Sequence, residues 1–365
     1  MPRPEFPRSI VDFQDRFATE EDCREYLFAS RWPEGFGCRR CGGGEIGVMH
    51  RRRVVWQCKG CGAQTSVTAG TVMHGTRQPL RLWFWAAYLV ATHHPGISAV
   101  QLQRQLGISR HETAWMMLHK LRRAMVAPER EPLKGEIEAD EFFLGGFEEG
   151  LKGGRQRGRK TLVGVAVEVR GRGSGRLRLE VLTDASGDSM GAFVSSTTTK
   201  GAMVHTDGWP SYNGLTKLGY DHRPRSQRAE PGEQLLPRAH RAVSNLKAWL
   251  HGTHRWASPE HLPAYLDEFV FRHNRRGTPH AAFQTLLGLS AHHEPATYPA
   301  DHRSGRLSPN GTNRVCTSGL MWISRSCRSS AASMRPRSRR IFFARYSGTP
   351  ASADSESQES SASSS

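Results

Sequence analysis

Lys134–Phe143 reads KGEIEADEFF, with Ile137 and Ala139 alternating with Glu138 and Asp140. A period of two predicts a strand with its acidic side chains on one face. A strand that aims a carboxylate into a site, followed by a glycine-rich loop, opens a two-metal phosphoryl-transfer core. Asp140 is the expected first metal ligand. An exposed acidic strand face would show the same pattern, so the rest of the chain has to decide. A second carboxylate stands at Asp207, where the short strand Ala202–His205 runs into Thr206-Asp207-Gly208-Trp209. Leu235–Gly252 reads as a helix carrying Asn245 and Lys247.

Four cysteines can hold a different kind of metal. Cys38-Arg-Arg-Cys41 and Cys58-Lys-Gly-Cys61 are each followed by a glycine, Gly42 and Gly62. Each pair makes a tight knuckle that points two thiolates at one ion, and two knuckles close a tetrahedral four-sulfur site. The doubled motif argues against a redox pair. Zinc held this way would be structural, because protein fills all four positions. A ribbon of roughly 30 residues buries no core of its own, so the metal supplies its folding energy. Arg51, Arg52, Arg53 and Lys59 decorate the ribbon, either as DNA phosphate contacts or as a solvated basic face. Cys23, Cys316 and Cys327 are scattered, a usage that favours metal binding over disulfides.

Several elements must position these groups. Thr19–Ser30 reads as a helix capped by Thr19, Arg51–Gln57 as a ribbon strand, and Thr65–Pro79 as a polar loop. Leu80–His93 is helical. Ser98–Leu106 and Ser109–Met125, joined by Gly107-Ile108, read as a helix-turn-helix with Ser109 capping the second helix. That recognition helix offers Arg110, His111, Thr113 and Lys120 to DNA. Pro128–Pro132 is a linker. After the Asp140 strand, Leu144–Lys160 is a basic loop with six glycines and five Lys or Arg residues. Strands over Thr161–Val169 and Arg176–Thr183 and a helix over Met190–Thr199 follow. Pro259–His273 is a helix ending in Arg272, Asn274, Arg275 and Arg276, and Ala281–Leu289 is the last globular segment.

The chain has 365 residues and a formal net charge of +17, which fits a polyanionic partner. The tail from about Asp301 contributes +6 of it, ten Arg against Asp301, Asp354, Glu356 and Glu359. The remaining +11 keeps the DNA argument intact. The tail shows no hydrophobic period and reads as disordered. No run of 18 apolar residues predicts a membrane span, and MPRPEFPRSI lacks a signal-peptide core, so a cytoplasmic, nucleoid-associated protein is expected.

A strand ending in Asp, then three strands and a helix, then a strand ending in Asp, then a helix with a third polar residue is the order of an RNase H-like fold. Two carboxylates from neighbouring strands hold two Mg²⁺ ions about 4 Å apart, with Mn²⁺ able to substitute. The expected architecture is multidomain α/β. It comprises a zinc ribbon with an N-terminal helix over 1–65, a helical helix-turn-helix region over 66–127, an RNase H-like, integrase-type catalytic core over 133–290, and an Arg/Ser-rich disordered tail over 300–365.

With these motifs in order, the chain resembles bacterial transposases of insertion-sequence family 1595, the zinc-ribbon group with a DDE-type integrase core. The matching motifs are CRRC…CKGC, TAGTVMHGTR, ISAVQLQRQLGISRHETAW, EADEFFLGG, HTDGWPSY, SNLKAWLHGTHRW and HLPAYLDEFVFRHNRR, spanning roughly residues 20–290. The resemblance implies binding of the element's terminal inverted repeats, Mg²⁺-dependent strand cleavage and transfer into target DNA, and a homo-oligomer on DNA. It carries the first two acids onto Asp140 and Asp207. Many members have Asn followed by Lys in place of the third Glu, which points to Asn245, with Lys247 as a DNA or phosphate contact. Glu260 and Glu268 are the alternatives; His240, on the same helix, either lies near the site or is a solvent-facing or packing residue, the reading favoured here. The tail departs from the family pattern, as a shifted reading frame or read-through would produce. A non-catalytic DNA-binding regulator is the competing reading; Asp140 and Asp207 in matched contexts favour the enzyme.

Overall fold

Thr19 opens a helix as its side chain predicts. In the computed structural model, which describes residues 6–49, 55–126, 130–145, 160–226, 232–255 and 257–292, Thr19 and Asp22 form a reciprocal capping box. The Arg51–Arg53 run, most of the basic 144–160 loop and the tail from residue 300 lie outside the described residues. The capped helix is α2 (Glu20–Arg31); the shorter α1 (Ile10–Arg16) precedes it. The sequence reading missed α1, whose seven residues are too few to establish a period. β1 (Ile46–Met49), β2 (Val55–Cys58) and β3 (Gln64–Thr65) form an antiparallel ribbon. The stretch after β3, expected as a polar loop, buries Val72 and Met73, and the buried Arg31 guanidinium donates to its carbonyls at Ser66, Val67 and Ala69.

α3 (Leu80–Thr92) begins after Pro79, which has no side-chain acceptor to offer. Glu20 fills that role, accepting from the N–H groups of Leu80 and Arg81 at 2.9 Å each. Ser98 caps α4 (Ala99–Leu106), which ends at Gly107 in the left-handed region, φ +62°. α5 (His111–Ala124) corrects one expectation. Ser109 does not cap it; Arg110 holds the cap position without a side-chain bond.

The second half of the chain builds a five-stranded sheet from β4 (Glu136–Leu144), β5 (Thr161–Arg170), β6 (Gly173–Val181), β7 (Met203–Thr206) and β8 (Asp221–Pro224). The order is β6-β5-β4-β7-β8, with β4 antiparallel to β5, β5 antiparallel to β6, and β7 parallel to both β4 and β8. Two strands, rather than the three expected, separate β4 from α6 (Gly187–Thr197), the crossover that the parallel β4–β7 pair requires. β8 had no signal in the sequence. On one face Ile137, Ala139 and Leu162 pack against Met190 and Phe193 of α6. Gly164 is needed there, because a Cβ would meet the Phe193 ring at 3.0 Å.

The opposite face carries Val163, Val165, Val167 and Leu177. It is covered by α7 (Pro237–Trp249) and α8 (Leu262–Asn274). β4 is therefore buried on both sides, and its acidic face is not the exposed one that alternation allows. α7 runs into a π-helical turn over Leu250–His254.

α9 (Pro279–His292) returns to the N-terminal helices, where Phe283 packs its ring against Phe13, Phe17, Phe84 and Tyr88. The two halves are also joined through a buried ion pair. Arg122 of α5 meets Glu268 of α8 at 2.7 Å, with side chains 1% and 0% exposed. The Arg122 guanidinium lies 4.0 Å over the Tyr265 ring, and Arg272 sits on the other side of Glu268 at 3.8 Å. No helix among the described residues is long and apolar enough to cross a membrane.

Removing one partner of a buried pair leaves an uncompensated charge. Glu268→Ala is expected to cost about 3–5 kcal/mol. Urea unfolding should show the loss as a lowered midpoint. An unchanged midpoint would mean that Arg122 reaches water in solution.

Candidate functional site

The ribbon's two knuckles have the same geometry. Gly42 N–H donates to the Cys38 carbonyl at 2.8 Å, and Gly62 N–H to the Cys58 carbonyl at 2.9 Å. Both glycines have positive φ, +74° and +70°, which explains why glycine trails each pair. The four Sγ atoms lie within 4.8 Å of one another, with Cys38–Cys61 at 3.6 Å and Cys41–Cys58 at 3.5 Å. A tetrahedral zinc with bonds of about 2.3 Å sets its sulfurs about 3.8 Å apart, so the donor set fits. Backbone N–H groups of Cys41 and Arg40 draw the Cys38 thiol down to about 6, toward the thiolate that binds metal. Phe36 and Trp32 pack over the cluster.

Asp140 and Asp207 come from adjacent parallel strands. The β4–β7 register pairs Ile137 with Val204 and Glu138 with His205. Two residues further along each chain stand Asp140, on the face of β4 that α7 covers, and Asp207, just past the end of β7. Asp207 has just left β7; its Oδ1 accepts from Trp209 N–H at 3.0 Å, and Gly208 turns the chain with φ +78°. Asp140 accepts from Glu141 N–H through Oδ1 at 2.9 Å, and its Oδ2 lies 3.3 Å from His240 Nε2.

His240 reaches Asp140 because of Glu138. Leu236 and Pro237 give α7 no side-chain cap. Glu138, only 3% exposed, supplies one from β4. Its Oε2 accepts from Arg238 N–H at 2.7 Å and Ala239 N–H at 2.9 Å, while its Oε1 pairs with the Arg238 guanidinium at 2.7 Å. The carboxylate satisfies orphan donors at the positive end of the helix dipole. That contact sets the first turn of α7, with His240, above Asp140.

Of the residues expected at the site, the structure brings Asp140 and Lys247 to this face, sets Asp207 just past the end of the neighbouring strand, and turns Asn245 away. Lys247 Nζ lies 5.5 Å from the ring centre of Phe142, which shares the Asp140 face of β4. Asn245, five residues beyond His240, is roughly 140° around the helix. It is exposed and lines a cavity with Trp249 and Gly252. Glu268 is spent on Arg122, and Glu260 is exposed ahead of α8. Sequence reasoning favoured a solvent-facing or packing role for His240. Its seven-residue spacing from Lys247, which puts both on one helix face, was the available signal.

Sequence reasoning passed over Tyr212. It is fully buried, and its hydroxyl donates to Glu141 at 2.7 Å, tying the chain after Asp207 back to β4. Burial first, then the charges of Glu141, Asp140 and Asp207, raise its pKa well above the ordinary value, so the proton stays on the phenol. On α5, Arg110 and His111 are exposed, Thr113 and Lys120 are half-buried, and the end of the helix is buried against α8.

Two family models match the chain. The transposase zinc-ribbon domain matches over residues 18–64, and the ISXO2-like transposase domain over residues 132–274. The chain belongs to the transposases of insertion-sequence family 1595, which are DNA-processing enzymes. No curated protein matches it. Among solved structures, a chain of the simian T-cell lymphotropic virus intasome in complex with PP2A regulatory subunit B56 gamma is similar at 12% identity, covering 61% of this chain and 81% of that one. Its TM-score of 0.24 is too low to establish a shared fold.

The cysteine geometry makes a direct prediction. Purified protein should carry one zinc ion per chain, and Cys58→Ser should lose it, unfold the ribbon and leave the five-stranded sheet folded. Metal analysis with thiol titration checks this; four free thiols and no zinc in the wild type would defeat it.

Proposed function

We propose that this protein is a DNA transposase that binds the terminal inverted repeats of its element. It cleaves and transfers strands by Mg²⁺-dependent phosphoryl transfer at Asp140 and Asp207. The observation that carries this reading is the pair of carboxylates on adjacent parallel strands, Asp140 in the middle of β4 against His240 of α7 and Asp207 just past the end of β7. The sheet order, with one antiparallel and one parallel neighbour for β4, supports an RNase H-like core over residues 133–290.

Two carboxylates suit a hard divalent cation, which takes carboxylate oxygen and retains water. Bound metal would supply Lewis-acid activation of the attacking oxygen and stabilisation of the leaving one. Asp140 and Asp207 would hold it. His240 is favoured over Asn245 as the third donor, because it faces Asp140 and the amide does not. A nitrogen donor suits Mn²⁺ better than Mg²⁺. Lys247, on the same face, can meet a DNA phosphate. Glu138 and Tyr212 act as positioning residues, one fixing α7 and the other the Asp207 turn.

DNA recognition falls to α4 and α5, read as a helix-turn-helix within residues 66–127. Arg110 and His111 at the exposed start of α5 are the leading contacts, with Thr113 and Lys120 behind them. The zinc ribbon over residues 1–65 adds a second contact through Lys59. The active form on DNA is a homo-oligomer.

Nicking of a labelled terminal-repeat duplex tests the assignment. Asp140→Asn and Asp207→Asn should each lower the rate more than about a hundredfold with DNA binding retained, because an amide loses the charge that holds the metal. His240→Ala should lose about 10- to 100-fold and weaken Mn²⁺ binding measured by its electron paramagnetic resonance signal. Asn245→Ala should keep Mn²⁺ affinity. The opposite result for the last two would return the third position to Asn245, and full nicking by Asp140→Asn would end the enzyme reading.

A further inference from the structure

The face of α7 that carries Asn245 has a surface of its own. A cavity of about 630 Å³ opens between the α3–α4 turn, the end of α7 and the last turns of α8. That volume lies in the ~300–1,000 Å³ range of small-ligand sites. Its cationic side is made by Arg272, Arg275 and Arg276. Among the described residues, no aspartate or glutamate lines it. The carboxylate beneath Arg272, Glu268, is fully buried and already paired with Arg122. The opposite wall is apolar, with Ala248, Phe269 and Ala282.

Two further residues shape the cavity. Trp249, 9% exposed, lines it with its ring, while the indole N–H is closed off against the α3–α4 turn at Gly96. Asn245 stands exposed on the same wall, its amide offering donors and an acceptor side by side. It lies about 7.5 Å along α7 from His240. Gly96 lets the α3–α4 turn approach: a Cβ there would meet Trp249 Nε1 at 2.7 Å and Arg272 Nη1 at 2.8 Å.

We infer that this cavity binds an unpaired stretch of DNA strand, with phosphates against Arg275 and Arg276 and a base against the apolar wall beside Asn245. The positive lining without a carboxylate complements a phosphodiester backbone. A base inside a duplex cannot enter a cavity, whereas an unpaired base exposes both its face and its edge. The inference rests on the transposase reading, which supplies an opened strand one helix turn or two from the reacting carboxylates. It gives Asn245 a role in strand selection rather than in metal binding.

The test uses the full chain with its zinc retained and no added Mg²⁺. The probe is a fluorescent twelve-nucleotide oligothymidylate, compared by anisotropy with a terminal-repeat duplex. Ala248→Trp fills the cavity from an exposed helix position and should weaken oligothymidylate binding about tenfold, leaving duplex binding unchanged. Arg276→Ala should lower the slope of log affinity against log salt by about 0.7, the loss of one single-strand phosphate contact. Oligothymidylate binding that survives Ala248→Trp overturns the inference, as does a wild type that nicks DNA yet does not bind the probe. Cavity-dependent binding without any nicking upholds the cavity and overturns the catalytic reading alone.

Discussion

A single buried carboxylate sets the geometry of the candidate site. Glu138 lies on the covered face of β4, where an uncompensated charge could not persist. Two backbone N–H groups and one guanidinium of α7 compensate it. The same contacts leave α7 no freedom to slide or rotate at its start. His240 follows within a turn, so its approach to Asp140 depends on that capping interaction. A neutral side chain at position 138 would fill the space and still release the helix.

The same device recurs elsewhere in the chain. Glu20 at the start of α2 caps α3, whose own cap position is a proline. Arg31 gathers three carbonyls of the segment after the ribbon. Arg122 and Glu268 join α5 to α8. In each case a charged group sits where one element meets another, and the partner's backbone or opposite charge satisfies it. Apolar packing holds these elements together without direction; these polar groups choose the register. The Arg122–Glu268 pair links α5 to α8, which covers the sheet, so the two halves share one framework.

The ribbon follows different physics. Its three strands bury Trp56 and Cys58, and Phe36 and Cys38 outside them complete a small cluster. Metal coordination has to supply what a small core cannot. That makes this part of the molecule sensitive to chelation and redox conditions to which the five-stranded sheet is indifferent.

Local chemistry was legible without coordinates. The doubled CxxC-Gly knuckles, the caps at Thr19 and Ser98, the glycine stop at Gly107 and the strand carrying Asp140 each depend on residues a few positions apart. Short-range rules suffice for them. What escaped depends on partners far away in the chain. Glu138 and Asp140 look alike in KGEIEADEFF, yet a helix about a hundred residues later turns one into a cap and leaves the other facing a histidine. Glu268 could serve as a ligand until Arg122, 146 residues earlier, is seen to hold it. Asn245 and His240 share a helix, and only the rotation of α7 against β4 decides which meets the carboxylate. The sequence by itself determined which residues could do chemistry and on which elements they ride. Tertiary packing decided which of them face one another, because burial and rotation are settled by contacts that no local pattern encodes.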